Sequence, residues 1–138
     1  MIILDTNVVS GFMQDPPNPQ IVSWLDQQPR SSLWTSAVTI YEIQSGIEVL
    51  PLRRRRSALS RIFESLLVKI EQRIAPFDEQ AARIAANLTA VRQQKGRVIE
   101  LRDTMIAGIV LAQGASLATR NVSHFSDISA QIINPWVP

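Results

Sequence analysis

The chain contains no cysteine and a single histidine, His124. The first absence excludes a disulfide framework and thiolate metal sites, and it is in keeping with a reducing compartment. The second leaves Ser-His-Asp and Cys-His mechanisms almost without parts, and His124 reads as a loop residue rather than a catalyst. No apolar run approaches the ~18 residues of a membrane helix. The opening Met1-Ile2-Ile3-Leu4-Asp5 has no basic region and meets an acid at once. No signal peptide is therefore expected, and the cytosol is the default location. Neither a glycine-rich phosphate loop nor a dinucleotide fingerprint occurs.

What is present is an ordinary core and an uneven distribution of charge. Of 138 residues, 46% are hydrophobic, enough for one domain, residues 1–138, with a real core and no staples. The net charge is only +2. Arginine dominates the basic residues, and Arg53-Arg54-Arg55-Arg56 form a run. Arginine makes bidentate contacts to phosphate, so a basic face is compatible with nucleic acid. The same run also reads as a solvated helix N-terminus.

Strand-like and helix-like segments alternate. Ile2-Ile3-Leu4 is a short apolar run of the kind that forms a strand buried on both faces. A short helix follows over Val8–Met13, then a proline-rich loop at 15–19 and a helix around Ile21–Leu25. Ser32–Ser36 reads as a second strand, Thr39–Leu50 as a helix, and Arg53–Glu71 as an amphipathic helix paired with it. Arg73–Phe77 is a third strand. Asp78 caps a helix that Gly96 ends, and Leu101–Gln113 is a helix that Gly114 ends. Ser116–Thr119 and Gln131–Asn134 are the fourth and fifth strands. This order predicts an α/β fold with a central, mostly parallel five-stranded sheet between helical layers.

Most of the acids have local roles. Asp78 caps a helix, Asp15 lies in the proline-rich turn, and Glu48, Glu64 and Glu71 fall on polar helix faces. Asp26 and Asp127 read as surface residues. Asp5, Glu42 and Asp103 differ. Asp5 ends the first strand, Glu42 falls in the first turn of the helix after the second strand, and Asp103 in the first turn of the helix before the fourth. Asn121 follows the fourth strand. Strand C-termini and the N-termini of the helices after them share one edge of a parallel sheet, where ligands bind. Each residue also has a local reading. Glu42 stands at capping-box spacing from Thr39, Asp103 suits the helix dipole, and Asn121 suits a turn. Convergence on one edge favours a shared site, because clustered carboxylates repel and a cation relieves the repulsion. Oxygen-only ligands suit Mg²⁺ or Mn²⁺ rather than Zn²⁺.

Five segments in order resemble the PIN-domain ribonucleases, in particular the VapC-type toxins of type II toxin–antitoxin pairs and their FitB-like branch. They are Ile3-Leu4-Asp5-Thr6-Asn7, Thr39–Gly46, Asp103–Ala107, Leu117–Phe125 and Ile133–Trp136. The resemblance implies a three-layer α/β/α fold with the first strand central. It implies an endoribonuclease that uses Mg²⁺ or Mn²⁺ to activate water, with Asp5, Glu42 and Asp103 as metal ligands and Asn7 and Thr119 in support. tRNA is one substrate class among such proteins. The fourth family position is often Asp; here Asn121 adds no charge, which weakens the case for a second metal ion. The resemblance also implies a homodimer and a cognate antitoxin (VapB/FitA-like) that blocks the acidic pocket, with Thr39–Glu71 as the antitoxin-binding and dimer surface. Operator DNA would be met only through that antitoxin, and no membrane is involved. A competing reading is a weakly active co-repressor held on the operator by its antitoxin. An aspartyl phosphatase is disfavoured, because Asn7 stands where its second acid belongs.

Overall fold

The computed structural model describes residues Met1–Pro138. Its strands are β1 (Ile2–Leu4), β2 (Leu33–Ser36), β3 (Ile74–Ala75), β4 (Ser116–Ala118) and β5 (Ile132–Ile133). Its helices are α1 (Thr6–Met13), α2 (Pro19–Asp26), α3 (Ala37–Glu48), α4 (Arg54–Lys69), α5 (Glu79–Gln94) and α6 (Leu101–Gln113). The sheet order is β3-β2-β1-β4-β5 and every pairing is parallel, so β1 is central. No helix is long and apolar enough to cross a membrane.

Alternation along the strands divides the core in two. Ile3 pairs with Leu117, and both face the cluster that includes Ala107, Ile109 and Val110 of α6. Leu4 pairs with Ala118, and both face the cluster built from α1, α2, α3 and α4, with Phe63 fully buried. Both faces of β1 are thus covered, so its sequence is continuously apolar rather than alternating. The next residue is Asp5, where β1 leaves the sheet; its N–H still donates to the Ala118 carbonyl at 2.9 Å.

On the α5–α6 side the packing depends on small residues. A Cβ on Gly108 would lie 2.5 Å from the Ala81 carbonyl oxygen and 2.9 Å from the Ala85 Cβ, so glycine is what lets the two helices approach. Gly114 ends α6 in the left-handed conformation, φ 59°, as the sequence suggests.

Three local expectations need correction. Helix α3 starts two residues earlier than expected, with Ser36 as its N-cap accepting from Thr39 N–H. Glu42 therefore lies in the second turn and belongs to no capping box. Glu71 lies beyond the end of α4, at φ 54°, and pairs with Arg73 at 3.3 Å rather than lying on a helix face. Asp127 stays at the surface, but its carboxylate turns inward to a buried arginine and its side chain is only 20% exposed.

Candidate metal centre

The carboxyl edge of the sheet carries a cleft of about 430 Å³ lined by Asp5, Asn7, Glu42, Asp103 and Asn121, among others. Each arrives on a different support. Asp5 is both the end of β1 and the N-cap of α1, accepting from Thr6 N–H at 2.8 Å. Glu42 projects from α3. Asp103 lies in the first turn of α6. Asn121 follows β4 and opens a short 3-10 turn, Val122–Phe125.

Asp5 is the best-fixed member, 2% exposed. Thr119 Oγ1 donates to its Oδ2 at 2.7 Å and Asn7 Nδ2 reaches the same oxygen at 3.3 Å. Asn7 is itself placed by Arg120 N–H, which donates to its Oδ1 at 3.1 Å. Thr119 lies behind Asp5, and its Oγ1 also accepts from Asn121 N–H at 3.0 Å. No cation touches Asp5. Burial pushes its carboxyl up to about 6; the Thr119 and Thr6 hydrogen bonds oppose this, and the charges of Asp103 and Glu42 add to it. Asp103 and Glu42 therefore act electrostatically on Asp5 across the cleft.

Glu42 and Asp103 have partners of their own. Thr6 Oγ1 donates to Glu42 Oε1 at 2.9 Å, and Arg102 Nη1 stands 3.7 Å from Oε2. Arg102 is itself held by Glu100, whose Oε1 accepts from its Nε at 2.9 Å. Asp103 Oδ2 lies 2.6 Å from His124 Nδ1. His124 is thus no bystander in a loop: the 3-10 turn brings it onto one of the three acids. Sequence reasoning missed Thr6, Arg102 and His124. Adjacency to Asp5 and Asp103 flagged the first two only weakly. The His124 contact spans 21 residues and left no local trace.

A divalent cation fits this donor set in kind. The groups are carboxylate and amide oxygens with no sulfur, and the buried Asp5 carboxylate lacks a counter-charge. The acids are not drawn together as they stand, for no group of three His, Asp or Glu side chains lies close enough to hold an ion. Glu42 is held by Thr6, with Arg102 beside it, and Asp103 is held by His124.

The PIN-domain family model matches residues 2–130. The chain belongs to the PIN domain family. Among curated relatives, it is 37% identical over 139 residues to the VapC ribonuclease Y4jK of Sinorhizobium fredii, covering 100% of this chain and 99% of that one. It is 33% identical to the toxin FitB of Neisseria gonorrhoeae, with 99% of each chain covered. The chain superimposes with a TM-score of 0.90 and 32% identity on a chain of FitAB bound to an IR36 DNA fragment, covering 100% of this chain and 97% of that one. It matches FitAcB from Neisseria gonorrhoeae at 0.88, again with 32% identity and complete coverage of both chains. The five-stranded parallel sheet and its flanking helices are the PIN fold of these relatives.

A second, larger hollow of about 1160 Å³ runs from this cleft between α1, α3 and α4. It shares Thr6, Ser10, Gln14 and Glu42 with the cleft. Ile43, Ile47 and Leu59 give it an apolar floor, and Arg54, Arg55 and Arg102 give it a basic rim.

Proposed function

We propose that this protein is the toxin of a type II toxin–antitoxin pair, acting as a Mg²⁺- or Mn²⁺-dependent endoribonuclease. The observation that carries the reading is the buried Asp5 carboxylate, facing Glu42 and Asp103 across one cleft with no cation of its own. Relatives named VapC ribonuclease and toxin FitB, matched along nearly their whole length, support it. Asp5, Glu42 and Asp103 would hold the metal. When bound, it would make a water nucleophilic near neutral pH and offset charge on the phosphoryl oxygens. Thr119, Asn7 and Thr6 N–H hold the Asp5 carboxylate in one orientation. Asn121 offers an amide oxygen to substrate or water without adding charge, which favours a single ion over a pair.

RNA, with tRNA as a candidate class, is the proposed substrate. Arg54 and Arg55 begin α4 at the positive end of its dipole, where cations are disfavoured unless an anion joins them. The cognate antitoxin (VapB/FitA-like) is proposed to lie along the hollow between α1, α3 and α4 and reach the cleft. That hollow's apolar floor and basic rim suit an amphipathic segment carrying acids. A homodimer is proposed through the face where Tyr41 and Leu101 stand exposed beside Phe77 and Met105. The cytoplasm is the proposed location.

The decisive experiment is RNA cleavage by the purified protein with Mg²⁺ or Mn²⁺. Asp5→Ala is expected to lower the rate more than ~100-fold, beyond the loss that an outer partner of a metal ligand brings. Unchanged cleavage would refute the assignment. A second reading is a co-repressor with little activity, bound with its antitoxin to operator DNA. It is favoured by the neutral Asn121 and by a structural relative seen in a DNA complex. Growth arrest on expression of this chain alone would count against it.

A further inference from the structure

We propose that His124 is a positioning residue for Asp103. It holds one oxygen of that carboxylate by a hydrogen bond from outside the ligand set and leaves the other, Oδ1, to a divalent ion. The inference rests on the metal-dependent reading above and deepens it.

The contact is short. His124 Nδ1 lies 2.6 Å from Asp103 Oδ2. The tautomer with its proton on Nδ1 is the one that can donate to an ionised carboxylate, which only accepts. One oxygen of Asp103 is thereby occupied, and no other side chain holds Oδ1.

The histidine is itself held from behind. Phe125, the next residue, is fully buried and anchors the 3-10 turn in the core. The His124 carbonyl accepts from Arg92 Nη2 at 2.9 Å. Arg92 Nη1 donates to Thr104 Oγ1 at 2.8 Å, one residue along α6 from Asp103. One planar guanidinium, 3% exposed, therefore ties down both the turn that carries His124 and the helix turn that carries Asp103. Arg97 adds a further bond to the Ser123 carbonyl. The bracing acts on the backbone of the turn, and the imidazole, 41% exposed, reaches Asp103 from that fixed base.

In metal sites, a ligating carboxylate is commonly held by such an outer hydrogen bond, whose removal costs ~10–100-fold in affinity. An unheld Asp103 would have to be ordered by the ion itself, at an entropic cost.

The test measures Mn²⁺ binding by calorimetry on the full-length protein without RNA, comparing wild type with Asp5→Ala, His124→Ala, His124→Asn and His124→Gln. Asparagine puts an amide nitrogen where Nδ1 stands, whereas glutamine puts one nearer Nε2. The expected result is Mn²⁺ binding that Asp5→Ala abolishes and that His124→Ala weakens ~10-fold. His124→Asn should restore most of the affinity and His124→Gln should not, with thermal unfolding unchanged across the His124 set. Wild-type affinity in His124→Ala overturns the inference while leaving the metal site standing. Equal loss in all three His124 variants overturns it too, since a hydrogen bond from the Nδ1 position would then not matter. Binding that is absent from wild type, or indifferent to Asp5→Ala, overturns the metal-dependent reading and this inference with it.

Discussion

Asp5 and Arg92 are the two most deeply buried charged side chains, 2% and 3% exposed, and their surroundings are opposite. Arg92, on α5, has a partner for each of its three side-chain nitrogens. Its Nε and Nη2 grip both oxygens of Asp127 at 2.9 Å, and its remaining donors reach Thr104 and the His124 carbonyl. The hydrogen bond from Arg92 holds the Asp127 carboxyl below its usual range, with the Arg92 and Arg97 charges adding to the effect. Asp5 has hydrogen bonds but no cation, and burial raises its carboxyl instead. A buried charge with its counter-charge braces a fold; one without a counter-charge stores a cost that a bound cation can remove. The difference separates the structural end of the molecule from the functional one, although a single short turn, Val122–Phe125, touches both.

The largest effect is expected at Arg92. Arg92→Ala should destabilise the protein by about 3 kcal/mol, since it strips the partner from Asp127 and leaves Thr104 and a carbonyl unsatisfied. Urea unfolding measures this, and a loss below about 1 kcal/mol would mean that the clamp is not structural.

The pH dependence should then run in opposite directions at the two ends. Asp5 is raised from 3.8 to about 6, so the folded protein keeps this proton longer than the unfolded chain does. Stability therefore falls as pH rises through that window, by up to ~3 kcal/mol from this group. Asp127 is lowered from 3.8, so its contribution is complete above that value and is lost as pH falls below it. Unfolding midpoints compared across pH 3–7 should show Asp5→Asn removing the fall at the higher pH and leaving the acid-side loss in place. Asp127→Asn should reduce the acid-side loss. A wild-type slope retained in Asp5→Asn would place the cost elsewhere.

The smallest effect is a control. Arg83 and Glu79 pair at 3.0 Å along α5, with side chains 78% and 82% exposed. Arg83→Ala should change stability by less than about 0.5 kcal/mol, because water and salt screen such a pair.

Much of the frame was legible in the sequence because local rules suffice for it. The apolar Ile2–Leu4 run marked a strand covered on both faces, Asp78 marked the start of α5, and Gly114 marked the end of α6. The positions of Asp5, Glu42 and Asn121 on one edge followed from parallel topology, and Asp103 joins them because α6 starts at that edge. Contacts that depend on rotamer and loop path were not legible. Asp127 read as a surface acid because nothing near it in sequence resembles a partner; Arg92 is 35 residues away. The start of α3 was misplaced because Ser36 and Thr39 are both capable caps, and only the backbone shows that Ser36 is used.

The order of elements and the kinds of ligand on offer are local properties, already set by the amino-acid sequence. Hydrophobic periodicity, caps and glycine stops act over a few residues, and residue type sets donor chemistry. Tertiary structure alone decided which acid is left without a cation and which is paired with one. It also decided that the only histidine stands on Asp103. Burial and pairing are set by residues distant in the chain, and their electrostatic cost exists only once folding has removed the water.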